Sequence, residues 1–136
     1  KLTENNKGVL SGVPASLPPL VKAYRMQEKA AGVGFDWPHI DGVIQKIEEE
    51  IREFYDEVNQ KNQKRAEEEF GDLLFSLVNY ARFLGINPDD ALSNANQKFL
   101  KRFVKMESKI SDHQIEMSQL DLEKWEKLWH EVKSEN

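Results

Sequence analysis

The segment from Leu73 to Leu84 constrains the fold most, because its side chains are apolar nearly all round a helix. A helix that is hydrophobic on every side is normally buried, so this segment is expected to pack against other helices or a second subunit. One polar strip remains on the same helix, formed by Glu69, Asp72, Ser76 and Asn79. Buried polar groups need partners, so this strip is the best evidence in the sequence for a functional site.

Hydrophobic periodicity predicts five helices. They cover Leu17–Ala31, Gly42–Val58, Arg65–Leu84, a segment that begins at Asn87-Pro88 and continues through Ile110, and Asp121–Val132. No strand-like alternation is present, so the predicted class is all-α, with a four-helix bundle as its core. Residues 1–16 contain glycine and proline and are expected to form a flexible lead or linker, while residues 17–136 form the helical domain. Phe35 and Trp37, in the loop after the first helix, are expected to be packed.

Composition limits the class of protein. The chain has 136 residues, 32% of them charged, and a formal net charge of −5, which argues against the basic face that broad nucleic-acid binding requires. It has no cysteine, and this excludes disulfides, thiolate catalysis and cysteine-ligated zinc. No apolar run approaches the ~18 residues of a membrane span, and no signal-peptide pattern opens the chain. We therefore expect a cytoplasmic protein without a membrane partner.

Two pairs of acidic residues at helical spacing are candidate metal ligands, namely Glu50 with Glu53 and Glu69 with Asp72. A separation of three residues puts both acids of a pair on one side of a helix, about 4.5 Å apart along its axis, where like charges repel. Two such pairs facing each other would form a cluster of oxygen ligands suited to Mg²⁺. The chain has no Glu-x-x-His, the motif of di-iron bundles, so all-oxygen ligation by Mg²⁺ or Mn²⁺ is favoured over iron or zinc.

Each of these features also has a purely structural interpretation. Glutamate-rich helix faces are usually solvated surface. Lys98 and Arg102, taken alone, would more often be partners in surface ion pairs. Trp129, taken alone, would more often belong to a core or an interface than to a ligand site. For Asp72 and Asn79 the structural and functional interpretations are balanced, because their helix is otherwise apolar.

Three ordered motifs surround these acids. They are Lys46-x-x-Glu49-Glu50-x-x-Glu53, then Glu68-Glu69-x-Gly71-Asp72-Leu73-Leu74-Phe75-x-x-Val78-Asn79-x-Ala81-Arg82, and then Asn96-x-Lys98-Phe99-x-x-Arg102-Phe103. Their order and spacing resemble the signature of the MazG nucleoside triphosphate pyrophosphohydrolases, and the resemblance covers nearly all of Leu17–Val132. It implies an all-α fold that hydrolyses a nucleoside triphosphate between the α and β phosphates, releasing the monophosphate and pyrophosphate.

The resemblance also implies roles for individual residues. The implied ligands of Mg²⁺, with Mn²⁺ as an alternative ion, are Glu50, Glu53, Glu69 and Asp72. The implied catalytic residues are Glu49, Glu50 and Glu53. The implied substrate contacts are Lys46, Glu49, Arg65, Lys98, Arg102 and Trp129. A carboxylate that is not used by the metal, such as Glu49, could take a proton from the attacking water.

The family further implies a homodimer, broad base tolerance and a role in removing non-canonical or surplus nucleotides. Lys1 stands where a start Met would be, and the lead resembles the segment that joins the halves of tandem-domain MazG proteins. We therefore expect the C-terminal, catalytically active half of such a protein. Two alternatives remain open, namely a narrower pyrophosphatase acting on dUTP or dCTP and a non-catalytic helical interaction module.

Overall fold

The computed structural model describes residues 8–135, and every regular element in that range is helical. The elements are α1 (Pro19–Gly32), α2 (Ile40–Asn59), α3 (Gln63–Phe83), α4 (Pro88–Asp112), a short 3-10 helix (Met117–Gln119) and α5 (Leu122–Ser134). The predicted all-α class and its five helices are therefore confirmed. The chain divides into two compact units, one ending at Asp89 and the other beginning at Asp90. No helix in the range 8–135 has both the length and the hydrophobicity that crossing a membrane requires.

The first unit is built on α3, against which both α1 and α2 pack. Its core contains Val43 of α2 and Val78 of α3, with 1% and 3% of their surfaces exposed. Ala23 of α1 and Ala66 of α3 are also buried. Small residues at such positions let neighbouring helix backbones approach closely, while the valines remove apolar surface from water. The helix with the polar strip is thus the central element of this unit.

A short connection, residues 60–62, joins α2 to α3. Lys61 adopts a positive φ of 58°, which reverses the chain direction. The side chain of Asn62 then caps α3 by accepting a hydrogen bond from the backbone N–H of Arg65 at 3.2 Å. Helices joined by so short a connection are neighbours in space, so this turn brings the acidic residues of α2 beside those of α3.

The loop between α1 and α2 differs from the sequence expectation. Phe35 is 83% exposed and Trp37 is 42% exposed, so the expectation that both are packed is wrong for Phe35 and only partly right for Trp37. The loop is held instead by Asp36, whose carboxylate accepts hydrogen bonds from Arg82 Nη2 at 2.6 Å and Nη1 at 3.2 Å. Trp37 lies over Gly42, where a Cβ atom would come within 2.7 Å of the indole ring. The hydrogen bonds between Asp36 and Arg82 therefore hold the loop in place of the expected packing of Phe35.

The segment before α1 was predicted to be a flexible lead. Residues 1–7 lie outside the part of the chain that the structure describes, and residues 8–16 form turns, one of which is closed by Ser11 Oγ donating to the Gly8 carbonyl at 2.7 Å. The division between a lead and a catalytic domain at residues 16 and 17 stays a prediction.

Aromatic contacts join the two helices of the second unit. The Phe99 and Trp129 rings lie 5.7 Å apart, and the rings of Phe103 and Trp125 stack at 5.9 Å. The side chain of Asp121 caps α5 by accepting a hydrogen bond from the backbone N–H of Lys124 at 2.9 Å. These ring contacts hold α5 against α4.

Candidate metal centre

Glu50 is the buried acid of α2, with 3% of its surface exposed. It lies one turn beyond Lys46 on the same helix face, and Lys46 Nζ is 2.8 Å from Glu50 Oε1. The same ammonium group lies 3.6 Å from Glu49 Oε1. The hydrogen bond to Glu50 raises the pKa of Lys46, which is therefore firmly cationic. Lys46 balances one oxygen of the buried carboxylate, while the other oxygen faces the acids of α3.

Three carboxylates converge between α2 and α3. Glu50, Glu69 and Asp72 each contribute one oxygen, and these three oxygens all lie within 4.8 Å of one another. Glu50 is buried, Glu69 is half-buried and Asp72 is exposed, so the cluster runs from the helix interface to the surface. A site of this kind has a buried ligand, Glu50, at one end and is open to a substrate at the other end, beside Asp72.

Glu53, the fourth predicted ligand, lies beside this trio. The pKa of Glu69 is raised to about 7, first by burial and then by the nearby carboxyls of Glu50 and Glu53. The structure thus brings three of the four predicted ligands together and places the fourth next to one of them. The complete four-ligand site stays a prediction.

The acid cluster fits a hard divalent cation. Oε2 of Glu50 and Oε2 of Glu69 are both buried, and neither has a hydrogen-bond partner among residues 8–135. Buried carboxylate oxygens without donors are costly, and crowding three such groups adds repulsion. Carboxylate oxygens are the ligands that Mg²⁺ and similar ions prefer, so an ion here would satisfy both orphaned atoms at once.

The predicted substrate contacts are spread over both units. Lys46 adjoins the acid cluster, whereas Arg65, at the start of α3, lies with its Nη1 3.7 Å from Glu57 Oε2. In the second unit, the Arg102 guanidinium lies 5.3 Å from the centre of the Trp129 ring, a cation–π contact. Lys98 is an exposed residue of α4. The roles of these residues in binding substrate stay predictions.

A cavity of about 650 Å³ lies within the first unit, and Lys46 forms part of its wall. Two features of this cavity were not predicted from the sequence. Gln27 of α1 lines it and is 7% exposed, and Asp36 and Arg82, also in its wall, form the ion pair that anchors the loop. The sequence gives no direct signal for Gln27, because its burial depends on how α1 packs on α3.

The family model described as the MazG nucleotide pyrophosphohydrolase domain matches residues 40–106, a range that contains every acid of the cluster. Residues 40–106 are a MazG domain. Two curated relatives agree with this assignment. One, from Thermotoga maritima, is named nucleoside triphosphate pyrophosphohydrolase/pyrophosphatase MazG and is 45% identical over 117 residues, which are 86% of this chain and 45% of the relative.

The second MazG relative, the nucleoside triphosphate pyrophosphohydrolase of Escherichia coli K12, is 44% identical over 126 residues, which are 91% of this chain and 48% of that protein. An uncharacterised Bacillus subtilis protein, YabN, is 46% identical over 65 residues, which are 48% of this chain and 13% of its own length. The chain thus spans about half the length of the two MazG relatives, 45% and 48%.

Proposed function

We propose that this chain hydrolyses nucleoside triphosphates to the monophosphate and pyrophosphate, with Mg²⁺ bound at the acid cluster of α2 and α3. The observation that carries the proposal is the convergence of Glu50, Glu69 and Asp72, with two buried carboxylate oxygens that have no hydrogen-bond partner among residues 8–135. A nucleoside triphosphate is a polyanion, and an acidic chain with net charge −5 needs a bridging cation to hold it. The names of the two MazG relatives support the choice of substrate.

The residues around the cluster have separable tasks in this proposal. Glu50, Glu69 and Asp72 hold the ion, and Glu53 completes the set. When bound, Mg²⁺ supplies charge neutralisation on phosphate oxygens and a more acidic water molecule. Glu49 is exposed, lies outside the convergent trio and is free of the task of holding the ion, so it is our candidate for the group that accepts a proton from water.

Cationic side chains would hold the triphosphate. Lys46 is fixed beside the cluster by its contacts with two glutamates, and it can shift one donor from Glu50 to a phosphate oxygen. Arg65, Lys98, Arg102 and Trp129 are the further substrate contacts in this proposal. Preorganised cations of this kind stabilise the charge that develops on phosphates during phosphoryl transfer. Acting on many bases, the enzyme would clear surplus or non-canonical nucleotides from the cytoplasmic pool.

A homodimer is part of the same proposal. Leu74 and Leu77 of α3 are 42% and 43% exposed in the single chain, and Ile51 of α2 is 49% exposed. Exposed apolar side chains on the two helices that carry the site are expected to be covered by a second copy. Light scattering after size-exclusion chromatography is expected to give the mass of two chains, whereas a monomer at micromolar concentration would contradict this part.

Pyrophosphate release from a panel of ribo- and deoxyribonucleoside triphosphates tests the function. We expect turnover of all of them with Mg²⁺ and none with excess EDTA. Confinement to dUTP or dCTP would instead support the narrow pyrophosphatase, and no turnover of any nucleotide would support the non-catalytic module. Glu53→Gln and Asp72→Asn should each lower the rate at least about tenfold. Removal of a group that only hydrogen-bonds a metal ligand can already cause a loss of this size. Glu48→Gln, an exposed acid of α2, is the matched control.

A further inference from the structure

Charged residues occur with the same spacing on the sides of α2 and α3 that face each other. On α2, separations of three and then four residues give Glu50, Glu53 and Glu57. The chain reverses direction at residues 60–62, and the same separations counted backwards along α3 give Asp72, Glu69 and Arg65. Residues three and four apart share one side of a helix, so each acid of α2 has a counterpart on α3. The last pair, Glu57 with Arg65, combines opposite charges.

Glu57 is the more buried member of this pair. Its side chain is 17% exposed, whereas that of Arg65 is 67% exposed. Oε1 of Glu57 is buried and has no hydrogen-bond partner among residues 8–135, and Oε2 lies 3.7 Å from Arg65 Nη1. A carboxylate with a buried oxygen is costly to leave without a counter-charge, because little water is there to solvate it. Glu57 therefore attracts the guanidinium more strongly than a fully exposed acid would.

The turn between the two helices fixes the backbone on both sides of the pair. The Glu57 carbonyl accepts a hydrogen bond from the backbone N–H of Asn62 at 3.1 Å. The side chain of Asn62 in turn accepts a hydrogen bond from the backbone N–H of Arg65 at 3.2 Å. Glu57 and Arg65 are thus connected through Asn62 as well as by their charges. With both backbones held, the ion pair determines the direction of the long arginine side chain.

Arg65 lies next to the acid cluster along α3. It precedes Glu69 by four residues, which is one helical turn and about 6 Å along the axis. A guanidinium group has several N–H donors in a planar fork, so contact with Glu57 through one nitrogen leaves others for a phosphate. An Arg65 side chain held in this direction would meet a triphosphate that is bound through an ion at the cluster.

We infer that Glu57 is a positioning residue, which holds the Arg65 guanidinium beside the acid cluster so that it donates to a phosphate oxygen of the substrate. This inference rests on the proposed function, in which Arg65 is a substrate contact. Glu57 itself touches neither the substrate nor the ion. Its negative charge opposes the binding of a polyanion, so it assists binding only through the arginine. Removing that charge should therefore weaken binding, whereas removal of an acid without this role should strengthen it.

The KM for ATP at saturating Mg²⁺ tests the inference. Glu57→Gln, which keeps the shape of the side chain, should raise KM about fivefold, the size of effect that coupled neighbours show. The value of kcat should stay within about twofold of wild type, because a contact made equally in the ground and transition states changes KM alone. Arg65→Met should raise KM about tenfold through loss of a charge-assisted hydrogen bond. The double variant should match Arg65→Met, because Glu57 acts through the arginine.

The ion pair of Arg25 with Glu28, at 3.4 Å on α1, provides a matched control. Glu28→Gln removes an ion pair of the same kind and should leave KM unchanged. An unchanged or lower KM in Glu57→Gln would overturn the inference, since a lower value is what removal of a negative charge near a polyanion gives. So would an effect of Glu57→Gln that is equally large with and without Arg65, because additive effects show that the two residues act independently.

Failure of the proposed function can be distinguished from failure of this inference. If the wild-type chain does not hydrolyse ATP, the proposed function fails, and the dissociation constant of ATP in the presence of Mg²⁺ is measured in the same variants. Weaker binding by Glu57→Gln that disappears in the Arg65→Met background supports the positioning role. Equal affinities of the wild-type chain and Glu57→Gln contradict it.

Discussion

Lys46 Nζ lies 2.8 Å from Glu50 Oε1, so a cation on α2 balances the buried carboxylate of the same helix one turn later. Glu50 is 3% exposed, whereas the Lys46 side chain is 39% exposed. The pair therefore stands at the boundary between the core and the acid cluster. The second carboxylate oxygen of Glu50 is left for a ligand. The Lys46–Glu50 pair therefore connects the packed core to the proposed metal site.

Lys46→Met should destabilise the chain by about 1 kcal/mol, because Glu50 then loses its charge partner while the exposure of Lys46 limits the effect. Mg²⁺ should restore part of this loss by replacing the missing cation. Urea unfolding in EDTA and in Mg²⁺ measures both effects. An equal loss of unfolding free energy in the two buffers would contradict the link between Lys46 and the ion.

Glu69→Gln should stabilise the metal-free chain. Burial and the neighbouring carboxyls raise the pKa of Glu69, so removing its charge relieves repulsion within the cluster. The same change should reduce the increase in melting temperature that Mg²⁺ gives to the wild-type chain, since one ligand is gone. Thermal unfolding with EDTA and with Mg²⁺ tests both parts. A variant that is less stable in EDTA and equally stabilised by Mg²⁺ would show that Glu69 has an ordinary structural role.

The ion pair of Asp36 with Arg82 should make stability depend on acid pH. The Arg82 guanidinium lowers the pKa of Asp36 below its usual 3.8, so the folded state holds the proton less tightly than the unfolded state. The contribution of this ion pair to the free energy of unfolding is fully present above pH 3.8. It is lost as the pH falls through the lower pKa that Asp36 has in the folded state. Asp36→Asn should remove that part of the acid transition. Identical pH dependence of unfolding in both proteins would exclude the pair as its source.

Much of the fold could be predicted because it depends on local sequence. Hydrophobic periodicity and the caps at Asn62 and Asp121 act within a few residues, so the helices differ from prediction only at their ends. The convergence of Glu50, Glu69 and Asp72 also followed, since helical spacing and a short turn nearly determine it.

Features that depend on packing between distant segments were missed. Gln27 reads as an ordinary polar residue of an amphipathic helix, and only its contact with Phe75, 48 positions away, makes its oxygen a buried acceptor. Phe35 was expected to pack because apolar loops usually do. The loop is anchored instead by the hydrogen bond between Asp36 and Arg82, which are 46 positions apart in sequence, and Phe35 remains exposed.

Lys98 and Lys101 of α4 provide a matched pair for substrate binding, since both are exposed lysines three residues apart. Lys98→Ala should lower kcat/KM for ATP about tenfold if Lys98 donates a charge-assisted hydrogen bond to phosphate. Lys101→Ala should leave it unchanged. Steady-state kinetics at fixed ionic strength compares them, because salt screens exposed charges. Equal effects of the two substitutions would remove Lys98 from the substrate site.

Phosphorus NMR of ATP incubated with the purified chain and Mg²⁺ is the most direct measurement. We predict AMP and pyrophosphate in equal amounts, no turnover after EDTA, and little turnover by Asp72→Asn under the same conditions. Formation of ADP and inorganic phosphate would contradict cleavage between the α and β phosphates. Turnover that persists in EDTA, or at the wild-type rate in Asp72→Asn, would contradict a metal centre at the acid cluster.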